Sequence, residues 1–461
     1  MQTFIALGVI LRLTFPILSA LLLSACATTS VGSIYSATLE TGTEPPPRDV
    51  FVVIDGTGNS AISRTNAARL FEIVDASGIA RNGRQLATYY AEGVGSRGQL
   101  LGLAVGSGLD KDVRNAYSFL TKAYTPGKDE LVLSGFSRGA YSVRALGGLI
   151  SYAGIPDLSG NTPKERKQIA KHIFAAYKKK RTDDVALDWN SDPIQKLALE
   201  YRFRAPLPSD SAKIRAMVLW DTVGAKGLPN RTTDGTKELD RYYLTACNVE
   251  LTLHALALDE NRNFSFTPIS ADGALLRKGC ENDSNVIVKE VWFAGAHSDV
   301  GGSYEEGGLT EGYLPGVSLN WALSQLTKYD ILATAPAVFA DKHGPIHDAE
   351  KSEWYYRPLS EHYRRPFEFQ EKFVIEGKPK VHKSVFDRLE IVEDLDNYFP
   401  QCPRDTPSNL PTFLCAKELS PQKEPRIPTF VNVLLDRGCL KKTPAGFDLV
   451  PDQQCVEVIF D

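Results

Sequence analysis

The chain has 461 residues, with 52 Lys and Arg against 56 Asp and Glu, and a formal net charge of −4 at pH 7. That balance lacks the basic excess a phosphate backbone demands, so nucleic acid is excluded as the expected partner. With 43% hydrophobic and 10% aromatic residues, the chain can bury a full core and is not of the disordered class.

The N-terminus comes first. Phe4 to Leu23 is almost wholly apolar, with Arg12 its single charge, and it ends in Leu23-Ser24-Ala25-Cys26. An apolar core followed by small residues is the pattern of a secretory signal. Its length grazes the transmembrane range. Pro16 interrupts it, however, and Leu-Ser-Ala-Cys stands where a cleavage site belongs. The site resembles the lipobox of bacterial lipoproteins. That resemblance implies a signal peptide over residues 1–25, with Cys26 acylated as the first mature residue and attached to a membrane. Ala27, where Asp would favour the inner membrane, points to the outer membrane of the cell envelope, facing the periplasm. Stable attachment takes more than one acyl chain, and a lipoprotein cysteine carries more than one.

Cysteine usage agrees. The chain has seven Cys. With Cys26 as lipid carrier, Cys247, Cys280, Cys402, Cys415, Cys439 and Cys455 remain. An even set in an oxidising compartment predicts disulfides. Sequence alone does not choose among the pairings; the sequential set Cys247–Cys280, Cys402–Cys415 and Cys439–Cys455 is the expectation. No two Cys lie close together beside a His, so no metal site is expected.

Residues 26–49 are rich in Thr, Ser, Gly and Pro and read as a flexible tether. Val50 to Ile54 is a continuous apolar run bounded by Asp55-Gly56, the signature of a strand buried on both faces. Val113, Ala116, Tyr117, Leu120 and Tyr124 recur at helical spacing, and Pro126-Gly127 ends that helix. Leu131–Ser134 is the next buried strand, and Val143, Leu146, Leu149 and Ile150 mark the helix after it. Ala216–Trp220 and Val288–Phe293 are further buried strands. Leu251 to Leu258, which holds His254, reads as an apolar helix. Strands alternating with helices predict an α/β fold of the α/β-hydrolase type, a mostly parallel sheet flanked by helices.

The hydrolase-like domain is expected over residues 50–334, with a helical insertion at about 160–210. Pro163 to Phe203 is charged there, with Lys178-Lys179-Lys180-Arg181 at its middle. It reads either as a solvated helix face or as a lid that meets anionic lipid. Residues 335–461 are irregular and Pro-rich, and read as a C-terminal extension stapled by disulfides.

The chemistry gathers around Gly135-Phe136-Ser137-Arg138-Gly139. Gly-x-Ser-x-Gly is weak alone, but here it follows a strand and opens a helix. That context makes a strained elbow that presents a hydroxyl at the carboxyl edge of the sheet. Ser137 is therefore the expected nucleophile. A serine needs a base, and the base needs an orienting carboxylate. The order in this fold class is Ser, then Asp or Glu, then His. Asp221 follows Ala216–Trp220 directly, and His297 follows Val288–Phe293 after a short turn. His382 is the alternative base. Asp299 and Asp259 are rival acids, and His254 reads as structural. The oxyanion hole would draw on the amide of Arg138 and on Gly56 or Thr57 in the loop after the first strand. A competing reading of Asp55 as an aspartyl nucleophile lacks the second carboxylate two residues away, where Val53 stands.

Several segments together resemble a known family, the α/β-hydrolase catalytic domain of phospholipase effectors delivered by type VI secretion, formerly a domain of unknown function. They are Asp55-Gly56-Thr57-Gly58-Asn59 with Thr65-Asn66, Gly93-Val94-Gly95, the Ser137 elbow, and Trp220-Asp221-Thr222-Val223-Gly224. Asp259-Glu260-Asn261-Arg262 with Phe264 and Phe266 follows, then Val291 to Gly302 around His297. The order holds over residues 50 to about 330. The resemblance implies cofactor-free hydrolysis of phospholipid esters, with Ser137, Asp221 and His297 matching a Ser-Asp-His triad. The lipobox departs from a secreted effector and implies a resident envelope enzyme. The expected activity is thus a membrane-tethered serine esterase or lipase on a lipid or acyl-ester substrate. The alternative is a non-catalytic lipoprotein that uses the fold as a binding module.

Overall fold

In the computed structural model, the described residues are 30–34, 46–60, 63–77, 84–93, 105–179, 186–204, 206, 212–224, 248–262, 266–273, 286–304, 314–347, 364–390, 413–414, 429–443, 446–450 and 455–461. The first strands and helices in chain order are β1 (Ser30–Ile34), β2 (Arg48–Ile54), α1 (Asn66–Ser77), β3 (Gln85–Ala91), α2 (Val105–Ala123), β4 (Glu130–Phe136) and α3 (Arg138–Ala153). Then come α4 (Pro163–Lys179), α5 (Asp192–Tyr201), β5 (Ile214–Trp220), β6 (Val249–Ala257) and β7 (Ile287–Phe293). The C-terminal part holds β8 (Ile346–His347), β9 (Lys380–His382), β10 (Phe413–Leu414), β11 (Leu440–Thr443), β12 (Gly446–Leu449) and β13 (Glu457–Ile459).

Among the described residues nine strands form one sheet in the order β1-β3-β2-β4-β5-β6-β7-β9-β13. All neighbours pair in parallel except β1, which lies antiparallel on β3. This is the α/β-hydrolase-like architecture expected from the sequence. Helices cover both faces of a parallel sheet, so its central strands are apolar throughout. Val50, Phe51, Val52, Val53 and Ile54 are all buried, as are Leu131, Val132 and Leu133.

Register does the functional work. Ile54 pairs with Ala91 on one side and Gly135 on the other. Phe136 pairs with Trp220, Trp220 with Ala255, and Ala257 with Phe293. The carboxyl ends of β2, β4, β5, β6 and β7 therefore reach one rim. The segments that leave them begin with Asp55, Ser137, Asp221, Leu258 and Ala294. Ligands of open parallel sheets bind at that rim.

Three expectations need correction. Ser30–Ile34, placed in the tether, is strand β1, paired to β3 from Ser30↔Ala91 to Ile34↔Ala87. It covers what would otherwise be an open sheet edge. Leu251–Leu258 is not a helix, because most of it is strand β6 between β5 and β7. A continuous apolar run buried on both faces has no periodicity to tell strand from helix. The boundary at 334 does not end the fold, since β9 pairs with β7 at Trp292↔Val381 and β13 extends the sheet beyond it. The insertion forms an outer helical layer, in which α4 packs on α2 and α3. It buries Ile169, Ala170, Ile173, Phe174 and Tyr177 in doing so.

The Cys439–Cys455 disulfide is present, with Cα atoms 5.9 Å apart. Cys26, Cys247, Cys280, Cys402 and Cys415 lie outside the described residues, as do residues 1–29. Among the described residues no helix is long and apolar enough to cross a membrane.

Candidate active site

The elbow is a strained turn. Ser137 has φ 58° and ψ −124°, a conformation a non-glycine residue keeps only when its surroundings enforce it. The enforcement is visible. Ser137 N–H donates to the Trp220 carbonyl at the end of β5 (2.9 Å). A Cβ on Gly135 would lie 2.7 Å from the Ala140 amide nitrogen, so α3 can fold back over β4 only if that residue is glycine.

Ser137 Oγ lies 2.7 Å from His297 Nε2, and His297 Nδ1 lies 2.5 Å from Asp221 Oδ2. With Nδ1–H donating to the carboxylate, Nε2 keeps its lone pair and accepts the hydrogen bond of the Ser137 hydroxyl. Ser137, Asp221 and His297 are all buried. Three side chains up to 160 residues apart thus form one chain of hydrogen bonds at the rim.

Each member is held from behind. Asp221 has φ 43°. Its Oδ1 accepts the Ala257 amide (3.1 Å) and its own amide donates to the Ala255 carbonyl (2.8 Å). The next residue, Thr222, donates its N–H to His254 Nε2 (3.1 Å), while His254 Nδ1–H donates to Glu290 (2.7 Å). His254 is therefore a buried strut under the Asp221 turn, and the structural reading of it holds.

His297 is framed by the Phe136 ring (4.6 Å) and the Phe266 ring (4.8 Å). Its backbone N–H donates to Glu260 Oε2 (3.1 Å), and Arg262 grips both oxygens of Glu260 at 2.8 and 2.9 Å. Asp259 accepts the Gly295 amide (2.7 Å) and donates its own amide to the Gly295 carbonyl (3.0 Å). The Asp259-to-Arg262 segment after β6 thus clamps the turn that carries His297.

Burial pushes the imidazole of His297 below its ordinary pKa, against the pull of Asp221. Burial would raise the Asp221 carboxyl, but the Arg364 guanidinium and His297 reverse this and hold it well below the usual carboxylate range. The same contest at Glu260 is won by Arg262, which holds that carboxyl down to about 2.

The oxyanion expectation is corrected at one position. The Gly56 amide donates to Asp55 Oδ1 (2.7 Å), so it is committed within its own loop. The other oxygen of Asp55 accepts Thr65 Oγ1 and the Tyr90 hydroxyl, both at 2.7 Å. Burial outweighs those bonds and raises the Asp55 carboxyl to about 6. Asp55 is a brace for the loop, which does not favour the aspartyl-nucleophile reading. Thr57 follows in the same loop, and a Cβ on Gly56 would stand 3.2 Å from the Ser137 Cβ. Arg138 is the first residue of α3, so its amide sits at the positive end of the helix.

The rivals lie elsewhere. His382 bonds to Ser384 (2.9 Å) and Asp461 (3.2 Å) and stacks on Phe293. Asp299 receives the Ala296 amide (2.9 Å) and pairs with His347 (2.5 Å). Among the described residues no His, Cys, Asp or Glu cluster could hold a metal.

Sequence reasoning missed Arg364. It donates through Nη1 to Asp221 Oδ1 and through Nη2 to Asp221 Oδ2 (2.9 Å). It stands 143 residues from Asp221, in a stretch without local pattern.

An uncharacterized yeast protein, YEL023C of Saccharomyces cerevisiae, is 26% identical over 249 residues, which cover 48% of this chain and 33% of the yeast protein. The chain thus spans about a third of the length of that relative. Among solved structures, esterase Est2 of Thermogutta terrifontis matches with TM-score 0.32 and 16% identity, over 66% of this chain and 89% of its own. Carboxylesterase Cest-2923 of Lactobacillus plantarum matches with TM-score 0.35 and 13% identity, over 66% of this chain and 93% of its own. The family model of the Tle1-like phospholipase effector of type VI secretion, catalytic domain, matches residues 48–325. That span holds Ser137, Asp221, His297 and the Asp259-to-Arg262 clamp and takes in more than half of the chain, so the protein belongs to the Tle1-like phospholipase effector family by its catalytic domain.

Proposed function

We propose that the protein is a serine-dependent carboxylic ester hydrolase that acts on lipids, most closely as a phospholipase, through an acyl-enzyme. One observation carries the reading: the continuous hydrogen-bond chain from Ser137 Oγ through His297 to Asp221. It is the arrangement in which an imidazole takes a hydroxyl proton as the oxygen attacks a carbonyl.

In the first half-reaction His297 Nε2 accepts the Ser137 proton while Oγ bonds to the ester carbonyl carbon. The oxyanion draws on the Arg138 amide and the Thr57 amide. Collapse breaks the bond to the leaving alcohol, which takes the proton from His297. In the second half-reaction water gives a proton to His297 and attacks the acyl carbon; the acyl–Oγ bond then breaks, Oγ takes the proton back from His297, and the fatty acid leaves. Asp221 keeps Nδ1 protonated throughout and balances the transient imidazolium. The apolar rings of Phe136 and Phe266 pack against the His297 imidazole and support holding it in place between Ser137 and Asp221.

The second part of the proposal is location. The apolar run Phe4–Leu23 and the Leu-Ser-Ala-Cys site support a lipid anchor at Cys26, on the periplasmic face of a bacterial outer membrane. A self-anchored enzyme of this kind works on the surface that holds it. Incorporation of a labelled fatty acid into the wild type but not into Cys26→Ser tests the anchor.

The activity is tested by release of fatty acid from phosphatidylcholine, phosphatidylethanolamine and triacylglycerol micelles, beside a short-chain nitrophenyl ester. Hydrolysis by the wild type, lost in Ser137→Ala, is expected. A folded protein that cleaves none of these esters contradicts the reading and favours a binding module.

A further inference from the structure

The acid of the site has a partner from outside the matched domain. Arg364 follows residue 325, where the family match ends. Its side chain is 1% exposed, and its guanidinium spans both oxygens of Asp221. The same two nitrogens donate to the carbonyls of Ala257 (3.0 Å) and Phe266 (2.7 Å). Arg364 is thereby locked to the end of β6 and to the residue whose ring flanks His297.

Bidentate geometry of this kind fixes the plane of a carboxylate as well as its place. Asp221 Oδ2 is shared between Arg364 Nη2 and His297 Nδ1. Rotation of the carboxylate would break both bonds. Asp221 also sits at a positive φ, a strained backbone that its surroundings must enforce.

We propose that Arg364 is the positioning residue of the acid–base pair, so that the C-terminal segment completes the active site of the hydrolase domain. This rests on the triad reading above. Arg364 aims Asp221 at His297 and offsets part of its charge. Among the described residues, the other charged groups that bear on His297 are Asp221, Glu260 and Arg262, and all three stay in place in the variants below.

Removing the guanidinium leaves Asp221 with His297 as its one close counter-charge among the described residues. An imidazolium is then favoured, and the neutral base is reached only at higher pH. The full-length protein in detergent is assayed on a nitrophenyl ester, with rates normalised to the Ser137 that a fluorophosphonate titrates. In Arg364→Gln, kcat falls roughly 10- to 100-fold with KM little changed, less than the ~10,000-fold cost of a wrong tautomer. The acid limb of kcat/KM moves to higher pH. Arg364→Lys keeps the charge but cannot fork both oxygens; its acid limb stays near the wild type while kcat remains reduced.

A merely structural arginine would lower the titratable fraction without moving the limb or the normalised kcat, and that result overturns the proposal. Should Arg364→Gln not fold, Arg364→Lys decides alone: a wild-type normalised kcat refutes the proposal and a reduced kcat supports it. If Ser137→Ala retains turnover, the triad reading itself has failed. If Ser137→Ala is inert and the Arg364 variants behave as wild type, this inference alone has failed.

Discussion

Gly139 and Ile54 are pressed so close that a Cβ on the glycine would stand 2.2 Å from the Ile54 carbonyl oxygen and 2.5 Å from that of Asp55. The first turn of α3 therefore sits directly on the chain that leaves β2, and this contact sets the distance between Ser137 and the loop of Gly56 and Thr57. Both obstacles are backbone, so neither can swing aside. Gly139→Ala is expected to destabilise by about 1–3 kcal/mol, the usual cost of overpacking, and to lower kcat more than it changes KM. Chemical denaturation and steady-state kinetics on the same variant check this. Wild-type kcat in Gly139→Ala would mean the oxyanion loop tolerates displacement.

In the proposed mechanism the imidazole of His297 must be neutral to accept the serine proton. Burial lowers its pKa below the ordinary value of 6.5. Protonation is then delayed to lower pH, and activity persists further into acid than an unperturbed histidine would allow. The acid limb of kcat/KM is expected to have its midpoint below about 6.5. A midpoint above that value would show that Asp221 outweighs desolvation.

Glu260 predicts a pH-dependent stability. Its carboxyl is held down to about 2 in the folded protein against 4.5 for the free group. Folding therefore favours the ionised form. That contribution is fully present above about pH 4.5 and is lost as pH falls toward about 2, on the order of a few kcal/mol. Glu260→Gln should be less stable at neutral pH and should lose less on acidification than the wild type. Denaturant titrations across that range read the difference.

Much of this site was legible in the sequence, and the parts that were share one property. Ser137, Asp221 and His297 each stand just past a buried apolar run, so strand order and chain order alone bring them to one rim. The parts that were hidden depend on contacts between distant residues. Nothing near Arg364 shows that its guanidinium meets Asp221 across 143 residues. Nothing in Asp55-Gly56 shows that the carboxylate takes the Gly56 amide rather than leaving it for an oxyanion. Ser30–Ile34 was read by its composition, whereas pairing along the β3 edge makes it a strand. His254 lies on a strand where its sequence suggests a helix, because an apolar run buried on both faces looks alike as strand or helix.

The Cys439–Cys455 disulfide closes a loop of 16 residues and ties β11 to the segment that leads into β13. In the chain-entropy model such a loop contributes about 3 kcal/mol. Double replacement by Ser should lower Tm by several degrees and leave the Ser137 site intact, since β13 is the outermost strand of the sheet. Calorimetry with a parallel ester assay tests both halves of this expectation.

Replacing the proposed base should cost far more than any of these changes. His297→Ala is expected to lower kcat by roughly four to six orders of magnitude, while His382→Ala, whose ring contacts Ser384, Asp461 and Phe293, should stay within about tenfold of the wild type. The reverse pattern would move the base to the other side of β7.

Reaction of the full-length protein with a fluorophosphonate, followed by tandem mass spectrometry of its peptides, asks the central question directly. A single phosphonyl adduct on the Ser137 hydroxyl, formed rapidly in the wild type and strongly slowed in His297→Ala, is the predicted result. A folded wild-type protein that takes up no reagent, or carries it on a different residue, contradicts the assignment of Ser137 as the nucleophile.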